Sequence, residues 1–315
     1  MSSMSSTSSR IYDFNTYLRA LYGERVQKIT IDAGFTCPNR DGSKSTGGCI
    51  FCNRQGSGTG QWLTGLSVKE QIQRAQQLIR QRYKAGKFLA YFQSFSNTYA
   101  SVETLRRLYE EALSVEGVVG LCIGTRPDCI DENVLDLLDK YSQTHLVWLE
   151  LGLQSFHDKT LQKINRGHGT EEFLKAIEMT RHREKINICV HVILGLPGET
   201  RSEMIDTARR LSCLRIHGIK LHLLYVIKDT PLASMYMQGE YHCLTSEEYI
   251  DIFCEFVQHL PPSVVIQRLI SDPHPDELLA PAWALDRSQN RRKIEEAMER
   301  KNIRQGEKLI SRQQS

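Results

Sequence analysis

Apolar residues along the chain fall into short continuous runs, separated by longer stretches in which they recur every three to four positions. The runs at 26–32, 88–93, 118–124, 146–152, 186–194 and 219–226 predict six strands. The stretches at 68–83, 102–114, 132–141, 171–181 and 202–214 predict helices that are polar on one face. Strands alternating with helices need parallel crossovers, so the expected class is α/β, a parallel sheet with helices outside. Six such units close only part of the circle that eight would complete. The predicted architecture is therefore an open (β/α)6 barrel over residues 14–260, entered through an amphipathic segment at 14–22. Beyond it come one further apolar run at 264–270, a proline-containing loop and a charged helix near 290–301, predicting a small C-terminal extension over 261–315.

Composition adds little until the cysteines are reached. With 40% hydrophobic and 24% charged residues the chain is ordinary for a soluble protein, and no apolar run approaches the roughly 20 residues that cross a bilayer. The serine-rich start, MSSMSSTSSR, lacks the apolar block of a secretory signal, so residues 1–13 are expected to be a disordered tail and the location cytoplasmic. Nine cysteines in a reducing compartment are not a disulfide framework. Six are scattered among mostly apolar neighbours, but Cys37, Cys49 and Cys52 share one glycine-rich loop after the first strand, where barrel folds carry their chemistry.

These three stand in CPNRDGSKSTGGCIFC, a Cys-x11-Cys-x2-Cys spacing. A Cys-x2-Cys pair also opens many zinc sites, but a closed zinc site needs four ligands, and no second pair follows. A 4Fe-4S cluster held by only three thiolates keeps one iron open for a cosubstrate, unlike the four-thiolate ferredoxin arrangement.

Here the chain resembles the radical S-adenosylmethionine (SAM) superfamily, whose commonest spacing is Cys-x3-Cys-x2-Cys. Within it the chain is most similar to a YhcC/YtqA-like family beside the elongator catalytic-subunit radical domain and oxygen-independent coproporphyrinogen oxidase. The resemblance runs through TCPNRDGSKSTGGCIFC, AYFQSFSNTYA, GTRPDCI, LELGLQS, INRGH, HVILGLPGET and LYVIKDTPL, each at or after a predicted strand. It implies a partial (β/α)6 radical SAM barrel, a 4Fe-4S cluster on Cys37, Cys49 and Cys52, SAM bound at the open iron, and cleavage of SAM to a 5′-deoxyadenosyl radical.

It also implies cosubstrate contacts. Gln93, Ser94, Ser96 and Asn97 follow the second strand, where a GGE-like segment meets the methionine amino group, although the glycines of that segment are missing. Arg166 looks like the arginine near the cosubstrate carboxylate, where a guanidinium makes two charge-assisted hydrogen bonds. Arg126 is a second candidate, although an arginine before proline equally pins a loop through an ion pair. Gly195 and Gly198 in GLPGET let backbone groups approach adenine, and Glu199 either touches ligand or caps the next helix. Glu150 and Gln154 fall on one strand face by the two-residue alternation and suit ribose hydroxyls, or are a polar pair satisfied by neighbouring barrel side chains. His168, His191 and His222 share no ligand spacing and read as core. Tyr99 and Tyr225 either stack on substrate or fill the barrel mouth.

The resemblance implies an enzyme of tRNA, trimming a carboxymethylaminomethyl group on wobble uridine to aminomethyl, with an electron donor such as flavodoxin or ferredoxin and no membrane. Residues 287–315 carry nine Lys or Arg against four Glu, so Arg291, Arg292, Lys293 and Lys301 are candidate phosphate contacts. The glutamates three or four positions away offer the alternative of a solvated, self-paired helix. A small-metabolite or tetrapyrrole radical enzyme, and a non-enzymatic iron-sulfur or zinc module, are the competing functions.

Overall fold

The computed structural model describes residues 9–54, 56, 65–83 and 85–309. Residues 1–8 of the expected tail, part of the long loop after the first strand and the last six residues lie outside the described ones. Residues 9–13 do not behave as a free tail: the Tyr12 carbonyl accepts from the Ile266 amide at 2.8 Å, and Asp13 caps the first helix by accepting from the Thr16 amide at 2.7 Å.

The strands are β1 (Val26–Ile31), β2 (Lys87–Phe92), β3 (Val118–Thr125), β4 (Leu146–Gln154), β5 (Ile186–Leu194), β6 (Gly218–Leu223), β7 (Val226–Ile227), β8 (Val265–Arg268) and β9 (Leu278–Ala280). The helices are α1 (Phe14–Tyr22), α2 (Val68–Tyr83), α3 (Val102–Leu113), α4 (Glu132–Ser142), α5 (Asp158–Lys163), α6 (Thr170–Thr180), α7 (Arg201–Ser212), α8 (Pro231–Met237), α9 (Ser246–Gln258) and α10 (Arg287–Arg300). Among the described residues seven strands form one curled parallel sheet in the order β1-β2-β3-β4-β5-β6-β8, a half-barrel. The α/β partial barrel is as expected, but it has a seventh strand. That strand, β8, pairs parallel to β6 and comes from the run at 264–270, so the sheet continues past residue 260 into the expected extension. The crossover that makes this possible is α9, a helix not predicted. Among the described residues no helix is long and apolar enough to cross a membrane.

Alternation along the strands sorts side chains to two faces. Outward positions such as Phe88, Ala90, Phe92, Leu121, Ile123, Leu149 and Val190 pack under the helices as the main core. Inward positions change character along the barrel axis. At the closed end Val26, Leu89, Trp148 and Val265 are buried with α1, whose Phe14 and Tyr17 rings stand edge-on to Trp148 at 5.7 and 5.5 Å. The middle layer is charged, and the strand C-terminal ends surround a cavity. Polar caps fix where the outer helices begin: Ser101, Asp131, Thr200 and Thr245 each accept from an amide of the first turn, worth about 1 kcal/mol apiece.

Candidate active site

The cysteine loop is tied to the barrel by backbone and amide groups. The Gly48 amide donates to the Asn39 carbonyl at 2.8 Å, and the Ile50 amide to the Ile164 carbonyl at 3.1 Å. Asn165 Nδ2 donates to the Gly48 carbonyl at 2.8 Å, and Asn39 Nδ2 to the Asn165 carbonyl at 2.6 Å. INRGH is therefore the platform on which the loop sits. Gly167 is required there: its φ is +72°, and a Cβ would lie 2.3 Å from Asn39 Oδ1. Tyr99 holds the outer turn, its hydroxyl 2.8 Å from that of Ser43.

Within the loop the Cys52 amide donates to the Cys49 carbonyl at 3.0 Å, so a tight turn brings these two residues together. The buried Cys49 thiol is drawn down to about 5 by a hydrogen bond from Cys52 and by the Arg166 and Arg126 guanidiniums, against the effect of burial. Arg166 Nη1 stands 3.6 Å from Cys49 Sγ while Nη2 donates to the Gly152 carbonyl at 2.7 Å. Arg126 is spent on the scaffold, with two bonds of 2.9 Å to Asp128 and one of 2.7 Å to the Arg166 carbonyl. The loop-pinning alternative describes its contacts.

A cavity of about 170 Å³ opens beside the loop. Of the residues offered in the sequence as cluster or cosubstrate ligands, Cys52, Gln93, Arg126, Glu150, Gln154 and Arg166 line it. Ser94, Asn97, Gly195 and Gly198 do not line it among the described residues. Asn97 Nδ2 donates to the Gly124 carbonyl at 2.7 Å and joins the ends of β2 and β3. Gly195 and Gly198, at φ +89° and +76°, turn the chain into α7 against Leu244 and Lys163. Glu199 is not the helix cap, which Thr200 and Glu203 form; it accepts from the Ser155 hydroxyl, and burial raises its carboxyl to about 7.

Glu150 lies at the cavity floor with both oxygens engaged. Lys28 Nζ donates to Oε1 at 2.8 Å; His191 Nε2 lies 2.9 Å from Oε2, to which Lys220 also donates. Burial alone would raise the carboxyl, but Lys220, Lys28 and His191 hold it well below the usual range. Ribose recognition at Glu150 therefore competes with an internal ion network. Gln154 lines the cavity as expected, although the pairing with β5 shifts between Gly152 and Gln154; its φ is +75° and its Oε1 is buried without a partner among the described residues.

In the wall contributed by His191, His222, Tyr225 and Arg268, Tyr225 stands at the cavity, where the sequence offered it as stacking on substrate or filling the barrel mouth, whereas the other three were not legible as a site. His191 and His222, read as core, stand with rings 5.1 Å apart and face the cavity. The signal available was a polar residue at alternate positions of apolar strands: Lys28, Glu150, His191, Lys220 and His222. At the other end of the chain, three of the four candidate phosphate contacts are paired, Lys293 being the exception among the described residues. Arg291 bonds Glu295 at 2.8 Å, Arg292 bonds Glu296 at 2.7 Å and Lys301 bonds Asp251 at 2.6 Å.

The loop suits an iron-sulfur cluster. It offers soft thiolates, one already favoured as the anion, beside two guanidiniums that offset negative charge. Buried Asn39 Oδ1, Gln154 Oε1 and Arg166 Nε have no partner among the described residues and await a polar guest. Among the described residues no three His, Cys, Asp or Glu side chains converge as the ligands of one metal ion would. Thiolates of a four-iron cube sit on different irons and stand wider apart.

Comparison with known proteins agrees. Residues 39–211 match the radical SAM superfamily model and residues 216–300 the radical SAM C-terminal domain model. The chain is 35% identical over 302 residues to uncharacterized protein YtqA of Bacillus subtilis, covering 96% of this chain and 94% of that one. It is 28% identical over 176 residues to the tRNA uridine(34) acetyltransferase of Methanocaldococcus jannaschii, covering 55% of this chain and 31% of that one. The fold resembles the archaeal Elp3 of Methanocaldococcus infernus, with a TM-score of 0.68 at 18% identity over 89% of this chain and 64% of that one. From the cysteine loop, the half-barrel and these matches together, the chain belongs to the radical S-adenosylmethionine superfamily and is an enzyme whose cofactors are a 4Fe-4S cluster and S-adenosylmethionine.

Proposed function

We propose that this enzyme acts on tRNA, trimming the carboxymethylaminomethyl group on a wobble uridine to aminomethyl. The observation that carries the reading is the similarity to an archaeal protein whose name assigns it to uridine 34 of tRNA, over 55% of this chain. Bound together, cluster and cosubstrate supply hydrogen-atom abstraction by a 5′-deoxyadenosyl radical, fed by a flavodoxin- or ferredoxin-like donor. Cys37, Cys49 and Cys52 hold the cluster. Arg166, with Nε free and buried, orients the cosubstrate carboxylate, and Gln93 and Gln154 offer it polar contacts. Phe51, Ile193, Leu223 and Leu224 keep the reaction space apolar and exclude water.

Arg166→Ala is expected to weaken cosubstrate binding about tenfold, the loss of a charge-assisted hydrogen bond, while iron content stays at the wild-type level. Equilibrium dialysis with labelled cosubstrate, read beside iron analysis, checks it; unchanged affinity would remove Arg166 from this role.

Nucleoside mass spectrometry of tRNA from cells with and without the protein tests the substrate. Deletion should accumulate the carboxymethylaminomethyl nucleoside and deplete the aminomethyl one; identical wobble nucleosides end the tRNA reading. Exposed ion pairs contribute little, so phosphates can displace the glutamates of α10 from Arg291 and Arg292. Reversing Arg291, Arg292, Lys293 and Lys301 to Glu should weaken tRNA binding and flatten its salt dependence.

A further inference from the structure

We propose that the wall formed by the ends of β6 and β8 is an anion-binding subsite, built by Arg268 with His222 and Tyr225, which receives a carboxylate of the substrate. Arg268 is the last residue of β8 and lies in register with Lys220 of β6. Its half-buried side chain lines the cavity, and it makes no hydrogen bond or ion pair among the described residues. His222 Nε2 is buried without a partner, and the Tyr225 hydroxyl has none among the described residues either. Three side chains able to donate thus face one space with nothing to donate to.

Charge points the same way. Glu150 is the carboxylate of the floor, and the ammoniums of both Lys28 and Lys220 already surround it. His191 and His222 are held neutral by burial. Arg268 therefore adds a positive charge to a floor that is already net positive. Neither rim carboxylate near Tyr225 forms an ion pair with Arg268: Asp272 pairs with Arg287 at 2.9 Å, and Glu277, still charged, accepts from the neutral Asn53 Nδ2 at 3.3 Å. Arg166, beside Cys49, supplies the cation for the cosubstrate's own carboxylate, so a second uncommitted guanidinium in the same cavity calls for a second anion. A planar guanidinium meets a carboxylate through two parallel hydrogen bonds, a geometry that an ester or a neutral amine does not reproduce. The identity of that carboxylate rests on the wobble-uridine reading above, since the carboxymethylaminomethyl group ends in one.

The test uses the full chain, reconstituted and loaded with S-adenosylmethionine so that Arg166 is engaged. Iminodiacetate, a small molecule with the same carboxymethylamino end, is followed by saturation-transfer NMR. The wild type should give a signal, Arg268→Gln should lose it, and Arg268→Lys should restore part. No signal in the wild type, or the same signal in Arg268→Gln, overturns the subsite whatever tRNA does. In a second arm, anticodon stem-loops carrying either the free carboxymethylaminomethyl acid or its methyl ester are compared by anisotropy. The acid should bind about tenfold more tightly to the wild type and within about twofold of the ester to Arg268→Gln. A subsite that takes iminodiacetate beside stem-loops that bind equally as acid and ester leaves the subsite standing and removes the wobble-uridine substrate. If Arg268→Gln instead weakens cosubstrate binding as much as Arg166→Ala does, the anion is the cosubstrate's and the proposal falls.

Discussion

Replacing Cys37, Cys49 or Cys52 with alanine is expected to take reconstituted protein from about four irons and four sulfides per chain to below about one. The brown colour and the charge-transfer absorption should go with them. The scaffold should survive, because the loop is fastened by the Asn39, Gly48, Ile50 and Asn165 bonds rather than by the thiols. Cys122 and Cys254 are the informative controls. Burial pushes the Cys122 thiol up to about 12 and Cys254 up to about 11, so both stay protonated and unsuited to metal. Their alanine variants should keep a full cluster. Iron and sulfide assays with far-ultraviolet circular dichroism separate the two classes. A loop variant that retains its iron, or a wild type that binds one zinc and no iron, would defeat the cluster assignment.

What could be read beforehand was whatever depends on neighbours in sequence. The six strands were legible because a parallel strand is buried on both faces and reads as an unbroken apolar run. The cysteines were legible because their chemistry is carried by spacing within one loop. The helix α9 was not, because it buries Tyr249, Ile250, Ile252, Phe253, Cys254, Phe256 and Val257 between α7 and α10 and shows a narrow polar face. Without it the run at 264–270 had no route back into the sheet.

The charged floor was hidden for a different reason. Register aligns Gly152 of β4 with His191 of β5, His191 with Lys220 of β6, and Lys220 with Arg268 of β8. Each strand read alone shows only one or two polar residues among apolar ones, and only the pairing makes a row of them. The glycines of GLPGET misled in the opposite sense, since a positive φ at a strand-to-helix turn needs glycine whether or not a ligand is near.

The same row decides what Glu150 does, and Glu150→Gln is expected to destabilise the protein by about 3–5 kcal/mol. Neutralising the carboxylate leaves the Lys220 and Lys28 ammoniums uncompensated, Lys220 being 2% exposed. Urea unfolding should show a lower midpoint, and adding Lys220→Met to Glu150→Gln should recover part of the loss, because one stranded charge is then gone. Acid should act on the same cluster. Burial and the nearby Lys220 depress the His191 imidazolium to about 4, against an unfolded value near 6.5. The unfolded chain therefore binds more protons than the fold between those values, so the contribution of neutral His191 is complete above about 6.5 and is lost as pH falls through about 4. His191→Gln should flatten that part of the stability profile. Were Glu150→Gln to keep the wild-type urea midpoint and weaken cosubstrate binding about tenfold instead, the carboxylate would be serving the ribose hydroxyls and the ion network would be incidental.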